Sequence, residues 1–362
     1  MQLKIDRLIR ADSELTQRHS GSVPVILSTR IRLARNLAGF PFPDHSDPGR
    51  RAKVFELCRA ASGAASAMEG SVTLAMAELS EMEKRILVER HLISRELAES
   101  AEGAGVIINA DQSCSIMVNE EDHLRIQSML TGFHLDRVWE LINGLDDALE
   151  ERLDYAYSDD LGFLTACPSN VGTGLRASVM MHLPGLVISK NMEKVIRAVN
   201  QIGLVVRGWL GEGSDASGSI FQISNQQTLG ESEGAILKRL ANVLKTVRTQ
   251  EENARARLLE SDRARILDRI GRAYGILRNG HLLSSGEGMS LLSLIRLGTD
   301  FGMFPKATRC LVDRLFIESQ PAHVQHLAES EIESSARDAL RASSMRREFS
   351  TVSDPDFDAA PS

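Results

Sequence analysis

The sequence predicts an α+β fold: an antiparallel sheet flanked by helices, followed by an all-α C-terminal domain. Three observations lead there. Short β-branched and apolar runs cluster between Val23 and Asn225 with few β-α-β alternations. From about residue 230 the apolar spacing turns helical and stays so through most of 251–347. The chain has 362 residues, 43% hydrophobic and 25% charged, enough for two domains with sizeable cores.

The elements follow in order. Val23–Leu27 is a β-branched run and predicts a strand. Pro48 opens a helix that runs through Ala65. Ser80 and Glu83 form a capping box ahead of the helical spacing in EMEKRILVERHLI. The runs 105–109 and 113–119, joined by Ala110, Asp111 and Gln112, predict a hairpin. Residues 134–153 return to helical spacing. The runs 162–166, 177–183, 204–209 and 219–225 read as extended, and 191–202 as a helix. Ile236, Leu240, Val243, Leu244 and Val247 mark one face of a long helix. The polar end, 349–362, reads as a disordered tail.

Composition excludes several classes of function. Lys plus Arg is 42 and Asp plus Glu is 49, a net charge of −7. That mild acidity is spread evenly, so no basic face advertises a nucleic acid or an anionic membrane. Cys58, Cys114, Cys167 and Cys310 are scattered without a C-x-x-C pair, which argues against a disulfide framework or a zinc knuckle. The N-terminal stretch is polar, and the longest apolar runs fall far short of a membrane span. A reducing cytoplasm is the expected location, and no protein-held metal is expected.

The chain has no G-x-x-x-x-G-K-[ST] phosphate loop. Gly172, Gly174 and Ala177 match G-x-G-x-x-A, but that fingerprint must open a helix, and here it leads into the strand-like ASVMMHL. The arginines are more informative. Arg30 and Arg32 stand two apart and share a face if extended. Arg125 follows NEEDH, Arg176 sits beside the glycines of NVGTGLRAS, and Arg207 ends the run LVV before Gly208. Each alone reads as a solvated surface residue. Together, five guanidinium forks offer an alternative to a backbone cradle for a triphosphate.

Acids and a thiol complete the set. Asn119–His123 ends a strand and reads either as the acid-rich start of a helix or as a catalytic cluster. Glu212 lies between two glycines, a context suited to a binding loop. Cys167 precedes Pro168 and reads either as a small buried hydrophobe or as a reactive thiolate near arginines.

The blocks STRIRLARN, NEEDHLRI, CPSNVGTGLRAS and RGWLGEGS, in this order and spacing, resemble the signature blocks of the ATP:guanidino phosphotransferases, the family of arginine and creatine kinases. RDALRA at 337–342 further resembles the phosphoarginine-binding motif of the family's bacterial protein-arginine kinase branch. The resemblance implies a guanidino-kinase catalytic domain at 21–250 after a short segment 1–20, without the small N-terminal domain of phosphagen kinases. It implies a helical domain at 251–348 that carries the motif. It further implies that ATP is contacted by Ser28, Thr29, Arg30, Ile31 and Arg32, by His91 and Arg125, by Arg176, Ala177, Ser178, Val179 and Met180, and by Arg207, Gly208, Trp209, Leu210, Gly211 and Glu212. Glu121 and Glu212 would be the catalytic carboxylates and Cys167 the thiolate near the acceptor. Arg337, Asp338, Ala339, Leu340, Arg341 and Ala342 would form a regulatory phosphoarginine site.

The implied reaction is phosphoryl transfer from ATP, with Mg²⁺, to arginine side chains of proteins. Implied partners are protein substrates, a heat-shock repressor, a zinc-binding activator and a Clp-type ATPase, with a homodimer plausible. Marking proteins for degradation under stress is the implied role. Two alternatives stand beside it: a phosphagen-type kinase acting on free arginine, and a non-catalytic phosphoarginine-binding adaptor.

Overall fold

A computed structural model describes residues 8–9, 13–16, 23–100, 102–209, 217–328 and 331–361. The chain divides into two compact units that interleave in sequence. The first comprises Met1–Glu14, Ser28–Val179 and Ser224–Asn242; the second comprises Leu15–Leu27, Met180–Ile223 and Val243–Ser362.

The sheet is assembled from β1 (Ile26–Arg35), β2 (Val72–Ala75), β3 (Gly105–Ile108), β4 (Cys114–Val118), β5 (Leu124–Thr131), β8 (Leu175–His182), β9 (Leu204–Gly208) and β10 (Ile220–Asn225). A separate short pair is made by β6 (Tyr157–Ser158) and β7 (Gly162–Phe163). The order in the large sheet is β2-β3-β4-β5-β1-β8-β10-β9. The ladders from β2 through β3, β4 and β5 to β1 are antiparallel, as the sequence predicts.

Helices of the first unit obey local rules. In α1 (Pro48–Ala64), Asp47 accepts from the Arg50 amide and Pro48 takes the first turn, where its missing N–H costs nothing. In α2 (Glu81–Glu89), the Ser80/Glu83 capping box is present in both directions. The short α3 (Arg95–Glu99) follows, capped by Ser94. Leu74, Met76, Leu87, Leu97, Val106, Ile108 and Met117 from β2 and the 3-10 turn after it, β3, β4, α2 and α3 form one core. In α4 (Leu135–Glu150), Leu135, Val138, Ile142, Leu145 and Leu149 keep helical spacing on one buried face.

The second unit holds α5 (Pro184–Ile188), α6 (Met192–Gln201), α8 (Ser285–Asp300), α9 (Ala307–Glu318), α10 (Pro321–His326) and α11 (Ser334–Phe349). Its core includes Ile266, Ile270, Tyr274, Leu292, Ile295, Phe316 and Phe349. The helix α7 (Glu233–Asn279) is 47 residues long, with one break at Asp262, where φ is −144° and ψ is 30°. The boundary expected near residue 250 therefore falls inside α7. Among the described residues, no helix is long and apolar enough to cross a membrane.

Three expectations are corrected. NEEDH does not start a helix: it turns β4 into β5, with Asn119 at φ 56° and its amide donating to the His123 carbonyl at 3.1 Å. The strand prevails because β5 pairs on both sides and buries Leu124, Ile126 and Ser128. GFLTA contributes only the two residues of β7 to a ladder, because β6 is equally short. Residues 350–361 are packed: Val352 and Ala360 are buried, Tyr274 donates to the Val352 carbonyl at 2.9 Å, and Arg263 donates to the Ala360 carbonyl at 3.1 Å. Their apolar side chains cover part of the second unit's core, which residue-by-residue polarity does not reveal.

Candidate active site

The alternation of β1 sorts the residues of STRIR. Ile31 is fully buried. Thr29 is consumed locally: its hydroxyl donates to the Gly132 carbonyl at 2.7 Å and accepts from the His134 amide at 3.0 Å. Ser28, Arg30 and Arg32 take the opposite face. The register sets Arg30 against Met129, Arg32 against Gln127 and Ala34 against Arg125. Directly paired residues point to one side, so Arg30, Arg32 and Arg125 share a face of the sheet. The strand β8, next to β1, adds Arg176 to the same electrostatic cluster.

These guanidinium groups are held together against their own interest. Burial, then the charges of Arg125 and Arg176, push the pKa of Arg30 down to about 10. Burial and the charges of Arg30, Arg125 and Arg176 push that of Arg32 well below its ordinary value, with Glu120 opposing. Such an arrangement is a docking place for a polyanion, which replaces mutual repulsion with charge-assisted hydrogen bonds.

His91 belongs here too. It lies past the end of α2 in a left-handed turn at φ 59°, not within the helix that the pattern suggests. Burial, then Arg30 and Arg32, push its pKa down to about 3, so the imidazole is neutral. Its carbonyl accepts from Gln127 Nε2 at 2.7 Å. On β8, Ser178 shares Arg176's side and donates to the Arg30 carbonyl at 3.4 Å. Ala177 and Val179 are fully buried, and Met180 is in the second unit's core.

The β4–β5 turn gives three consecutive acids three different surroundings. Glu120 is buried; it pairs with Arg125 at 2.5 Å and accepts from Ser94 Oγ. Arg125 consequently keeps a raised pKa: burial lowers it, but Glu120, Glu121 and Asp122 outweigh burial. Asp122 is buried and turned inward, accepting from Asn36 Nδ2 at 2.6 Å and the Ala166 amide at 2.7 Å. Glu121 alone is open, its side chain 40% exposed. It accepts from Asn170 Nδ2 at 2.8 Å and lies 3.8 Å from Arg125. Burial, with Asp122 and Glu120, raises its pKa against Arg125 and Asn170, making it a better proton acceptor than a free carboxylate.

Cys167 heads the single 3-10 turn Pro168–Asn170, half-buried, with Sγ 3.0 Å from Ser169 Oγ. Asn170 links that turn to Glu121. Thr228 holds the segment through the Ser169 and Val171 carbonyls at 3.0 and 2.6 Å. The glycines that mimic a dinucleotide fingerprint serve close packing instead. A Cβ on Gly172 would meet the Thr228 carbonyl at 2.5 Å, and one on Gly174 the Ala34 carbonyl at 2.6 Å. The segment enters β8, a strand, which removes the dinucleotide reading.

Arg207 lies half-buried on β9 in the second unit. Gly208 and Trp209 are buried, and the Trp209 ring is 6.1 Å from Phe316. Leu210, Gly211 and Glu212 lie outside the described residues. Sequence reasoning gave Asn170 and Asn36 no role, and named Glu120 and Asp122 only as members of the Asn119–His123 cluster. All four sit inside the quoted blocks, but their roles depend on partners far along the chain.

RDALRA lies on α11. Arg341 is not exposed: it is buried and donates to the Ser319 and Leu283 carbonyls, both at 2.8 Å, and to Asp338 at 2.7 Å. Arg337 is half-buried and donates to the Ile332 carbonyl at 2.8 Å. Ala339 is exposed, Leu340 half-buried and Ala342 buried.

The chain belongs to the ATP:guanido phosphotransferase family, whose C-terminal catalytic domain matches residues 53–254. Residues 263–360 match the protein-arginine kinase McsB C-terminal domain. A protein-arginine kinase of Pelotomaculum thermopropionicum is 44% identical over 331 residues, covering 91% of this chain and 93% of that protein. One of Shouchella clausii is 42% identical over 347 residues, covering 95% and 97%. Among solved structures, the duplicated taurocyamine kinase of Schistosoma mansoni superposes with a TM-score of 0.59 at 26% identity. That match covers 67% of this chain and 36% of the other, so this chain spans about a third of its length. A lombricine kinase superposes with a TM-score of 0.57 at 26% identity, covering 68% of this chain and 74% of the other.

Proposed function

We propose that this protein transfers the γ-phosphoryl group of ATP to the guanidinium of arginine residues in other proteins. The observation that carries the reading is the half-buried arginine face of Arg30, Arg32, Arg125 and Arg176 beside the open carboxylate of Glu121. Relatives named protein-arginine kinases, aligned over nine-tenths of the chain, support the protein acceptor.

The arginines take the phosphate oxygens of the substrate, Mg·ATP. Magnesium is a hard ion that binds through phosphates, waters and one or two carboxylates, and an arginine face offers it no oxygen. Among the described residues no cluster of acids, histidines or cysteines forms a metal cage. The acceptor guanidinium has a pKa of about 12.5 or higher, so its nitrogen is a poor nucleophile until a proton is drawn off. Glu121 orients it and accepts that proton. The new N–P bond forms as the bond from phosphorus to the ADP oxygen breaks, and the arginine face stabilises charge on the equatorial oxygens. Glu212 is the proposed second carboxylate and Cys167 the thiol beside the acceptor. His91, neutral beside two arginines, suits a contact to the nucleoside, and Arg207 a further phosphate.

The match of the C-terminal region supports the finer readings. Arg337–Ala342 would sense phosphoarginine. The biological role would be marking proteins for degradation under stress in the cytoplasm, with a heat-shock repressor, a zinc-binding activator and a Clp-type ATPase as partners and a homodimer as the assembly. Arg341 is buried against two carbonyls and Asp338, whereas Arg337 and Asp338 are only half-buried, so these two are the members of the motif that such a ligand would reach by exchanging the Arg337–Ile332 and Arg341–Asp338 bonds.

The deciding experiment is incubation with Mg·ATP and either an arginine-bearing protein or free arginine. Acid-labile phosphate on the protein alone is the expected result. Transfer to free arginine alone would make this a phosphagen-type kinase, and transfer to neither would remove the catalytic reading.

A further inference from the structure

The carboxylate and the thiol of the site sit on two different loops. Glu121 is on the β4–β5 turn, and Cys167 is on the segment after β7. Neither residue is in a ladder of the large sheet, so something else must set their separation. Asn36, the residue just after β1, is in position to do so.

Asn36 is 1% exposed, and its side-chain amide uses both donors and its oxygen. Nδ2 donates to Asp122 Oδ1 at 2.6 Å and to the Leu164 carbonyl at 3.0 Å. Oδ1 accepts from the His123 amide at 2.9 Å. Its backbone carbonyl accepts from the Ala156 amide at 2.7 Å. Two bonds therefore grip the acid turn, at the two residues that follow Glu121, and two grip the chain on either side of the β6–β7 pair. Asp122 closes the figure by accepting from the Ala166 amide, one residue before Cys167. A buried amide can hold this geometry only in one orientation, because two donors and one acceptor are each matched to a fixed partner.

We infer that Asn36 is a positioning residue that sets the Glu121 carboxylate against the Cys167 turn. This rests on the phosphoryl-transfer reading above. Its distinguishing feature is that its hydrogen bonds go to Asp122, His123, Leu164 and Ala156 and to none of the arginines of the face. A displacement of about 1 Å at a reacting group costs on the order of 100-fold in rate, whereas ATP affinity, set by arginines on strands, stays as it is.

The test measures kcat and the KM for ATP, below the melting temperature, for wild type, Asn36→Ala, Asn36→Asp and Leu37→Ala. Asn36→Asp keeps the size and the acceptor oxygen but loses both donors. Leu37 is the buried neighbour, 4% exposed, and reports what general loosening does. The expected result is a fall in kcat of about 10- to 100-fold in both Asn36 variants, with the ATP KM within about twofold of wild type. Leu37→Ala should lose melting temperature while keeping most of its kcat. Wild-type kcat in Asn36→Asp would overturn the inference, as would an equal kcat loss in Leu37→Ala at a matched melting shift. A wild-type protein that transfers no phosphate to any arginine would instead overturn the functional reading beneath it.

Discussion

At the residue scale, neighbours decide what each charge does. Glu120, Glu121 and Asp122 are chemically near-identical, yet one neutralises Arg125, one faces outward and one pins two loops together. Glu121→Gln keeps the hydrogen bond to Asn170 but cannot accept a proton. It should lower kcat by about 10²–10⁴-fold while leaving ATP binding intact, measured by turnover and calorimetry in parallel. The pH dependence has a definite sign. The pKa of Glu121 is raised, first by burial. The base is therefore lost as pH falls through a value above the usual carboxylate range, and the acidic limb of kcat/KM should sit there. On the stability side the same shift works in reverse: ionising Glu121 costs the folded state, so its contribution is more favourable at low pH. Arg32 offers a second test. Its half-buried charge sits among three like charges. Arg32→Met should raise the apo melting temperature, a gain of about 0.5–2 kcal/mol, while raising the ATP KM severalfold. An unchanged melting point with unchanged KM would mean that the arginine face is not a strained anion site.

At the element scale, the same motif type can be local or long-range. The Ser80/Glu83 box is readable because both partners lie within one turn. The RDALRA helix is different. Arg337 and Arg341 share a face by spacing, but packing separates their duties, since Arg341 caps the carbonyls of Ser319 and Leu283. Arg341→Ala should therefore cost about 1.5–3 kcal/mol of stability, because charged hydrogen bonds to buried acceptors are lost. Arg337→Ala should cost little and change only the binding of a phosphoarginine peptide. Thermal melts and calorimetry of the two variants separate the outcomes, and equal melting losses would place Arg337 in the structural role as well.

At the scale of the whole molecule, the chain end belongs to the second unit's core. Asp356 donates its amide to the Met303 carbonyl at 2.9 Å, and Asp354 accepts from Arg278 at 2.5 Å. Truncation after Ser353 should lower stability by at least about 1 kcal/mol, from lost hydrogen bonds and apolar cover. A truncated chain with a wild-type melting curve would return this segment to the class of disordered tails. Nucleotide should act in the opposite direction. Mg·ATP at about 100 times its Kd would add about 2.7 kcal/mol to the folded state.

Much of this molecule was legible in one dimension. Period-two alternation placed Arg30 and Arg32 on one side of a strand, capping chemistry started helices at Pro48 and Glu81, and the hairpin at 105–119 followed from two short apolar runs. These signals need only neighbours within a few residues. Tertiary structure alone decided that NEEDH would be a turn, because β5 gains two ladders that no local preference can weigh. It alone joined Asn36 to Asp122 across 86 residues and buried Arg341 against carbonyls 22 and 58 residues away. The physical reason is the same in each case. A polar side chain's role is set by which donors and acceptors share its buried space, and that space exists only once distant segments have packed.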